Sequence, residues 1–366
     1  VTAPYQLRVC DLRTDRTLDI LPVQDVGFDD YIGKTGSMSG TIPIPNRQIA
    51  ARARSVLLPG RTMLYLERGG QIAWGGALWT RTPTRDTHGY LSCPIQAGGL
   101  EGYYRGHRLL VDTLTAAGVD QLDIARQLIT YAAAQAGGDL GIEIDYTQVS
   151  GVLRDRTYSR YDLPSIGGLI DQLAATADGF EWRIQIYADS SGARHRVLRL
   201  GYPRLAVGST PVILDSPGPV GAYALPEDAS PMATAWQSRG ASVNSNQASA
   251  SYPLMSSLLT RPDLISAGWP RLDGTSDYSS VEVQATLDQH ALADLNRAAG
   301  TVIIPSVQYV TARVEQPQLG SYVRLRITDD WHPAPGLDAR YRVVGLRVAP
   351  EERGRPEATD LYLEAA

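Results

Sequence analysis

The sequence predicts a mainly β protein interrupted by an α+β segment, and three stretches carry that prediction. Thr62–Arg68 and Gln71–Thr80 are β-rich runs joined by Gly69-Gly70, the composition of a hairpin with a primed turn, since glycine meets no steric penalty at positive φ. Near the C-terminus Val323, Leu325 and Ile327 alternate with Arg324, Arg326 and Thr328, the period of a strand with one wet face. Between them, Ile166, Leu169, Ile170, Leu173, Ala174 and Ala177 fall at helical three-and-four spacing. Directly afterwards Phe180, Trp182, Ile184 and Ile186 switch to a period of two. Pro164 fits the first turn of that helix, and Gly179 fits a left-handed cap after it.

In chain order, residues 1–100 read as strands and turns without a helical period: Tyr5–Leu12, Thr17–Leu21, Gly40–Ile44, the hairpin, and Tyr90–Ala97. These suggest a small barrel or sandwich, completed by about 201–237, a Pro- and Gly-rich return crossing. Residues 101–200 form the inserted α+β domain. Its first helix uses Val119, Leu122, Leu128, Ile129 and Ala132, and its strands are Gly141–Tyr146, Phe180–Tyr187 and His195–Gly201. Residues 238–366 are the last domain. A polar stretch, 238–280, reads as a long loop or irregular extended chain that needs a partner to order it. A helix over 287–299 follows, then strands Val302–Ala312, Tyr322–Ile327, Arg340–Val348 and Thr359–Glu364.

At 366 residues the chain has room for several ordinary cores and needs no staples. Its apolar fraction of 43% is that of a globular protein, its apolar runs are too short to span a bilayer, and VTAPYQLRVCDLRTD carries no secretory pattern, so folding in a cytoplasm is expected. Cys10 and Cys93, each in a strand-like run, read as buried thiols. A net charge of -5 argues against wrapping nucleic acid, which takes a basic stripe. Lys34 is the only lysine among abundant arginines, the mark of a GC-rich coding sequence.

Chemistry-bearing patterns are weak. Gly33-Lys34-Thr35 resembles the end of a phosphate loop, but the required earlier glycine position holds Phe28, and GSMSGTIPIP follows where a helix is needed. The five histidines, His88, His107, His195, His290 and His332, have no His or Cys partner at ligand spacing, and Gly36–Gly40 places Met38 where a nucleophile elbow has serine. The acid pairs Asp29-Asp30 and Asp329-Asp330 suit turn caps or a solvated edge better than two carboxyls facing across a cleft. No catalytic set, cofactor or metal is therefore expected. Of the six tryptophans, Trp74 and Trp182 sit in strand patterns as core, whereas Trp269 and Trp331, beside prolines in loop-like sequence, are the candidates for partner contact.

With these residues laid out, LRVCDLRTDRTLDILPVQDVGFDDYIGKTGSMSGTIPIPN resembles the N-terminus of minor tail proteins from long-tailed phages of high-GC Gram-positive bacteria. SIGGLIDQLAATADGFEWRI, AGWPRLDGTSDYSSVEVQATLDQHALADLN and PQLGSYVRLRI resemble later segments of the same proteins. The resemblance implies a tail-tip or baseplate hub: two β-barrel-like domains per chain with an inserted α+β domain, assembled as a homotrimer. It implies contacts with the distal tail or tube protein, the tape-measure protein and other tail-tip or fibre proteins, and transient passage of phage DNA. The place of such a protein is the virion, after assembly in the host cytoplasm. The family pattern carries no catalytic residues to transfer. Two other classes compete: a cell-wall or polysaccharide hydrolase using an acid pair, and a glycan-binding receptor module using exposed aromatics.

Overall fold

The computed structural model describes residues 4–242, 252–300, 305–310, 316–349 and 356–366. The first hundred residues give β1 (Gln6–Asp11), β2 (Thr17–Pro22), β3 (Gln24–Tyr31) and β4 (Ser37–Ile44). Helix α1 (Arg47–Val56) follows, then β5 (Thr62–Arg68), β6 (Gln71–Arg81), β7 (Thr84–Arg85) and β8 (Leu91–Gly98). In the β5–β6 hairpin Arg68 lies opposite Gln71, leaving a two-residue loop in which Gly69 has φ 57 and Gly70 has φ 82, the signature of a type I′ turn. Helix α1 corrects the expectation of strands alone in this region. Its apolar face is short, Ile49, Ala53 and Val56 at i, i+4 and i+7, and only Ala53 is fully buried; the start is set by Asn46, whose side chain accepts from the N–H of Ile49 at 3.0 Å.

The middle of the chain supplies α2 (Leu100–Gly106), β9 (Leu114–Asp120), α3 (Gln121–Ala134), β10 (Glu143–Ile144) and β11 (Leu153–Tyr158). It continues with α4 (Ile166–Ala174), β12 (Glu181–Ala188), β13 (Arg194–Gly201), β14 (Val212–Ser216) and β15 (Val220–Ala224). Val119 belongs to β9; α3 begins after Asp120, whose carboxylate accepts from Leu122 at 2.8 Å. At α4 the cap is Ser165, its hydroxyl accepting from Gly168 at 3.1 Å, so Pro164 stands just outside the first turn. The left-handed residue after the helix is Asp178, at φ 54, not Gly179; glycine is needed at 179 because a Cβ there would run into the carbonyl oxygen of Ala174.

The C-terminal third contains β16 (Ala235–Ser242), β17 (Pro253–Met255), β18 (Leu259–Thr260), α5 (Pro262–Ser266), β19 (Asp273–Asp277) and α6 (Gln284–Ala298). The last strands are β20 (Ser306–Val310), β21 (Tyr322–Ile327), β22 (Leu337–Ala349) and β23 (Ala358–Ala365). Four strands thus lie in or border 238–280, where the sequence reads as loop. Their runs are short, β16 and β19 carry Ser and Gly, and a part of that stretch, 243–251, lies outside the described residues, as do 302–304 and 311–312 of the expected strand 302–312.

Contacts divide the chain into two units. The larger comprises Val1–Asp171, Phe180–Tyr223 and Ser306–Ala366. Its 14-stranded sheet follows the path β15-β20-β23-β22-β3-β4-β8-β6-β5-β1-β2, with β14, β21 and β7 as branches. The two ends of the sequence meet inside it, where β22 pairs antiparallel with β3 through Val348 and Phe28. Among the described residues no ladder closes this path into a ring, so the barrel-like domains expected from the sequence are not found as closed barrels. The core is formed by the inward residues of these strands, Leu7, Val9, Leu64, Leu66, Val323, Leu325, Ile327, Leu361 and Leu363 among them, each excluded from solvent. The smaller unit, Gln172–Gly179 and Ala224–Pro305, packs α6 on a sheet centred on β16, which pairs parallel with β19 and antiparallel with β17 and β18. Trp236 lies opposite Gly274, and its ring occupies the space a Cβ at 274 would take.

Candidate functional site

Trp331 is displayed by a short loop with a definite internal structure. Asp329 accepts from the N–H groups of Trp331 and His332 at 3.0 and 2.8 Å, donates its own N–H to the His332 carbonyl, and accepts from the Tyr223 hydroxyl. That hydroxyl, chiefly, holds the Asp329 carboxyl below its usual pKa. With its backbone fixed this way, the indole is 84% exposed. Trp269 follows α5, its N–H donating to Leu264 at 3.1 Å beside Gly268 at φ 99, and is 39% exposed. The two tryptophans belong to different units, so each is a separate display. Trp74 and Trp182 are buried, as their strand patterns predict; the Trp182 indole N–H donates to Asp171 at 2.8 Å.

The acid pair in β3 is divided between jobs. Asp29 accepts from the Ser37 N–H at 2.6 Å and its hydroxyl at 3.1 Å, while Asp30 pairs with Arg183 at 2.6 Å. Glu101 is buried near Asp30 and accepts from the Ile184 N–H at 2.6 Å; burial first, then the Asp30 charge, pushes its pKa up. This pair is a latch among β3, α2 and β12. A cleft of about 450 Å³, lined by Asp11, Arg13, Arg61, Tyr103 and Leu140, lies elsewhere. Its acid, Asp11, already caps the turn that follows, accepting from Arg13 and Thr14.

The Gly33-Lys34-Thr35 turn is also occupied from within. Arg105 donates to the Thr35 hydroxyl at 2.9 Å and the Gly33 carbonyl at 3.2 Å, and the Lys34 ammonium sits 4.5 Å from the Tyr31 ring centre. Cys10 and Cys93 are free and buried, and burial raises both thiol pKa values, which disfavours the reactive thiolate. Among the described residues no three His, Cys, Asp or Glu side chains are grouped to hold a metal ion. His107 stacks on Trp79 and His290 on Tyr278 as packing partners.

What sequence reasoning missed are the exposed apolar residues of the inserted region. Tyr161 and Leu163 stand in solvent although their backbone is fixed: Leu163, a bulky residue at φ 45, donates to the Arg160 carbonyl, and the neighbouring Pro164 carbonyl accepts from Leu110. A leucine in the left-handed region is the local signal, and it is invisible in a sequence because leucine is common in every conformation.

No family model matches the chain, and no curated protein matches it. Solved structures do. A tail protein from Neisseria meningitidis MC58 superposes with a TM-score of 0.60 at 15% identity, covering 99% of this chain and 96% of that one. The 43 kDa tail protein of prophage MuSo2 from Shewanella oneidensis gives 0.62 at 8% identity, covering 98% of each chain. A chain of the Francisella PdpA-VgrG complex gives 0.54 at 8% identity over 99% of this chain and 57% of that one. Sheet, inserted region and smaller unit are therefore all included in the overlap, and the chain has the fold of phage tail proteins.

Proposed function

We propose that the chain is a structural virion protein of a phage tail tip, a baseplate hub. In this reading three copies close the end of the tail tube, adapt its sixfold symmetry to a threefold tip, and open to release the tape-measure protein and DNA. The end-to-end overlap with two tail proteins, one of them from a prophage, carries the proposal. The broad β surface agrees with it: most side chains that chemistry would need are spent on caps and ion pairs, and the conspicuous exposed groups are aromatic and apolar.

Trp331 and Trp269 serve as contacts to neighbouring tail-tip or fibre proteins. Segments 1–100 with 201–237, and 238–366, act as paired β domains around the inserted 101–200. Assembly takes place in the host cytoplasm. A long, non-contractile tail and a high-GC Gram-positive host follow from the sequence resemblance and the arginine-rich composition. The net charge of -5 suits a conduit that must not retain DNA.

Native mass measurement of the purified chain, with imaging of particles, tests the proposal. A mass of three copies and threefold density at the tail end are expected. A monomer that is absent from tailed particles overturns it.

A further inference from the structure

The segment between β10 and β11 presents three large apolar side chains to solvent: Tyr146 is 68% exposed, Val149 72% and Leu153, the first residue of β11, 64%. Such a display ordinarily costs nothing to hide, because a loop free to move folds its apolar residues down. Here the backbone is held. Asp120 accepts from the N–H groups of Ser150 and Gly151 at 3.0 and 2.7 Å, and the Val152 carbonyl accepts from Gln121 at 3.0 Å. Arg126, almost wholly buried, donates to the Asp145 carbonyl at 3.0 Å and the Gln148 carbonyl at 2.6 Å, and its guanidinium lies 5.2 Å from the Tyr146 ring. Two side chains of α3 and its cap thus fix a loop that buries none of the three apolar groups.

The charges around the display are uneven. Asp123, paired with Arg126, keeps a side chain 48% exposed, and Asp155 is exposed just beyond Leu153. Glu143, at the other end, shares its charge with His195. The cations are largely withdrawn: Arg126 is buried beneath the loop, Arg199 is paired with Asp145, Arg154 is buried, and Arg156, half-buried, donates to the Asp155 carbonyl at 3.0 Å.

We propose that this loop is a docking surface for a segment of another polypeptide that carries apolar and cationic side chains together. The fixed backbone means that little order is lost on binding, the apolar residues supply the contact, and the acidic rim selects the sign of the partner. A second copy of this chain is disfavoured as occupant, because each copy carries a net charge of -5 and the rim is itself acidic. The same rim disfavours an anionic lipid surface. This surface does not depend on the tail-tip reading and is testable on the purified chain.

Both native cysteines are buried, so Val149→Cys accepts an environment-sensitive dye selectively. The labelled chain is titrated with two amphipathic helical peptides of about 18 residues, one of leucine and arginine, the other of leucine and glutamate. The arginine peptide is expected to shift the dye at a concentration at least about tenfold lower, an advantage that shrinks in about 0.5 M salt. Tyr146→Ser with Leu153→Ser, checked for an unchanged melting curve, is expected to weaken the response by about tenfold. If that pair unfolds the chain, the salt series and the peptide ratio decide alone. Equal response to both peptides overturns the proposal. So does a dye shift on concentrating the chain alone, or on adding phosphatidylglycerol vesicles in preference to the arginine peptide.

Discussion

Arg342 and Glu181 meet fork to fork: both terminal nitrogens of the guanidinium donate to the two carboxylate oxygens at 2.6 Å, with Arg342 only 1% exposed. The same guanidinium reaches Glu364 at 2.8 Å and the Leu205 carbonyl at 2.7 Å, so it joins β22, β12, β23 and the loop after β13 at one point. A buried arginine whose donors are this well used is costly to remove, because its acids are left behind. Arg342→Met is expected to lose about 3 kcal/mol in urea denaturation, and Arg342→Lys to recover only part, since an ammonium lacks the fork. A loss within about 0.5 kcal/mol would show that the acids find water instead.

His195 makes the inserted region sensitive to pH. Its Nδ1 lies 2.8 Å from Glu143 and its Nε2 3.3 Å from Asp189, so both ring nitrogens face carboxylates and only the imidazolium donates to both. The hydrogen bond to Glu143, then that to Asp189, raises the His195 pKa. The stabilisation is therefore complete below the unfolded value of about 6.5 and is lost as pH rises through the higher folded value. Asp189, held low chiefly by the Ser191 hydroxyl, works in the opposite direction, losing its contribution only in strong acid. An NMR titration is expected to place the His195 midpoint above that of free histidine, and Glu143→Gln to lower it. A wild-type midpoint at or below the free value rules out the clamp.

Glu101 is a carboxylate that the fold prefers protonated. Because its pKa is raised, its contribution is present below the unfolded value of about 4.3 and lost as pH rises through the folded value. Glu101→Gln keeps a carbonyl oxygen for the Ile184 N–H and removes a negative charge beside Asp30. Stability at neutral pH is expected to stay equal or rise, with a flatter pH profile. A clear fall at neutral pH would mean that the ionised form is the one the site needs.

In the smaller unit Asp294 is the buried acceptor on which α6 is fastened. One of its oxygens accepts from Ser276 at 2.7 Å and from Tyr278 at 2.8 Å, and Ser276 in turn bonds Ser238 of β16 at 2.7 Å. Asp294→Ala strands those hydroxyls and is expected to cost about 2–3 kcal/mol, read as faster amide exchange along α6; Asp294→Asn should cost less. Unchanged exchange in the alanine variant would show that the helix is held by Leu287, Ala291 and Leu295 alone.

Trp331→Ala removes a side chain that is 84% exposed. Thermal stability is expected to change by no more than about 0.5 kcal/mol, whereas incorporation into particles should fall. Normal incorporation would take Trp331 out of the partner contact.

The sequence by itself determined the local periods and turns. Val323, Leu325 and Ile327 are fully buried between exposed arginines because a strand turns successive side chains to opposite faces, whatever it pairs with. Gly69-Gly70 fixed a hairpin because few other residues accept two positive φ angles in succession. The order of β-rich ends around a mixed middle follows from the same signals.

The tertiary structure decided everything that depends on a distant partner. Helix α1 carries only a three-residue apolar face, Ile49, Ala53 and Val56, and its Arg52 finds Asp19 only once β2 is beside it. The strands near 238–280 hold together through Ser238, Ser276 and Asp294, side chains that read as solvated in a linear sequence. Nothing near residue 342 foretells that Arg342 is buried while Arg324 and Arg326 are exposed; Glu181 lies 161 positions away. Alternation is a property of one backbone, but the partner that makes a buried charge tolerable is supplied only by the path of the whole chain.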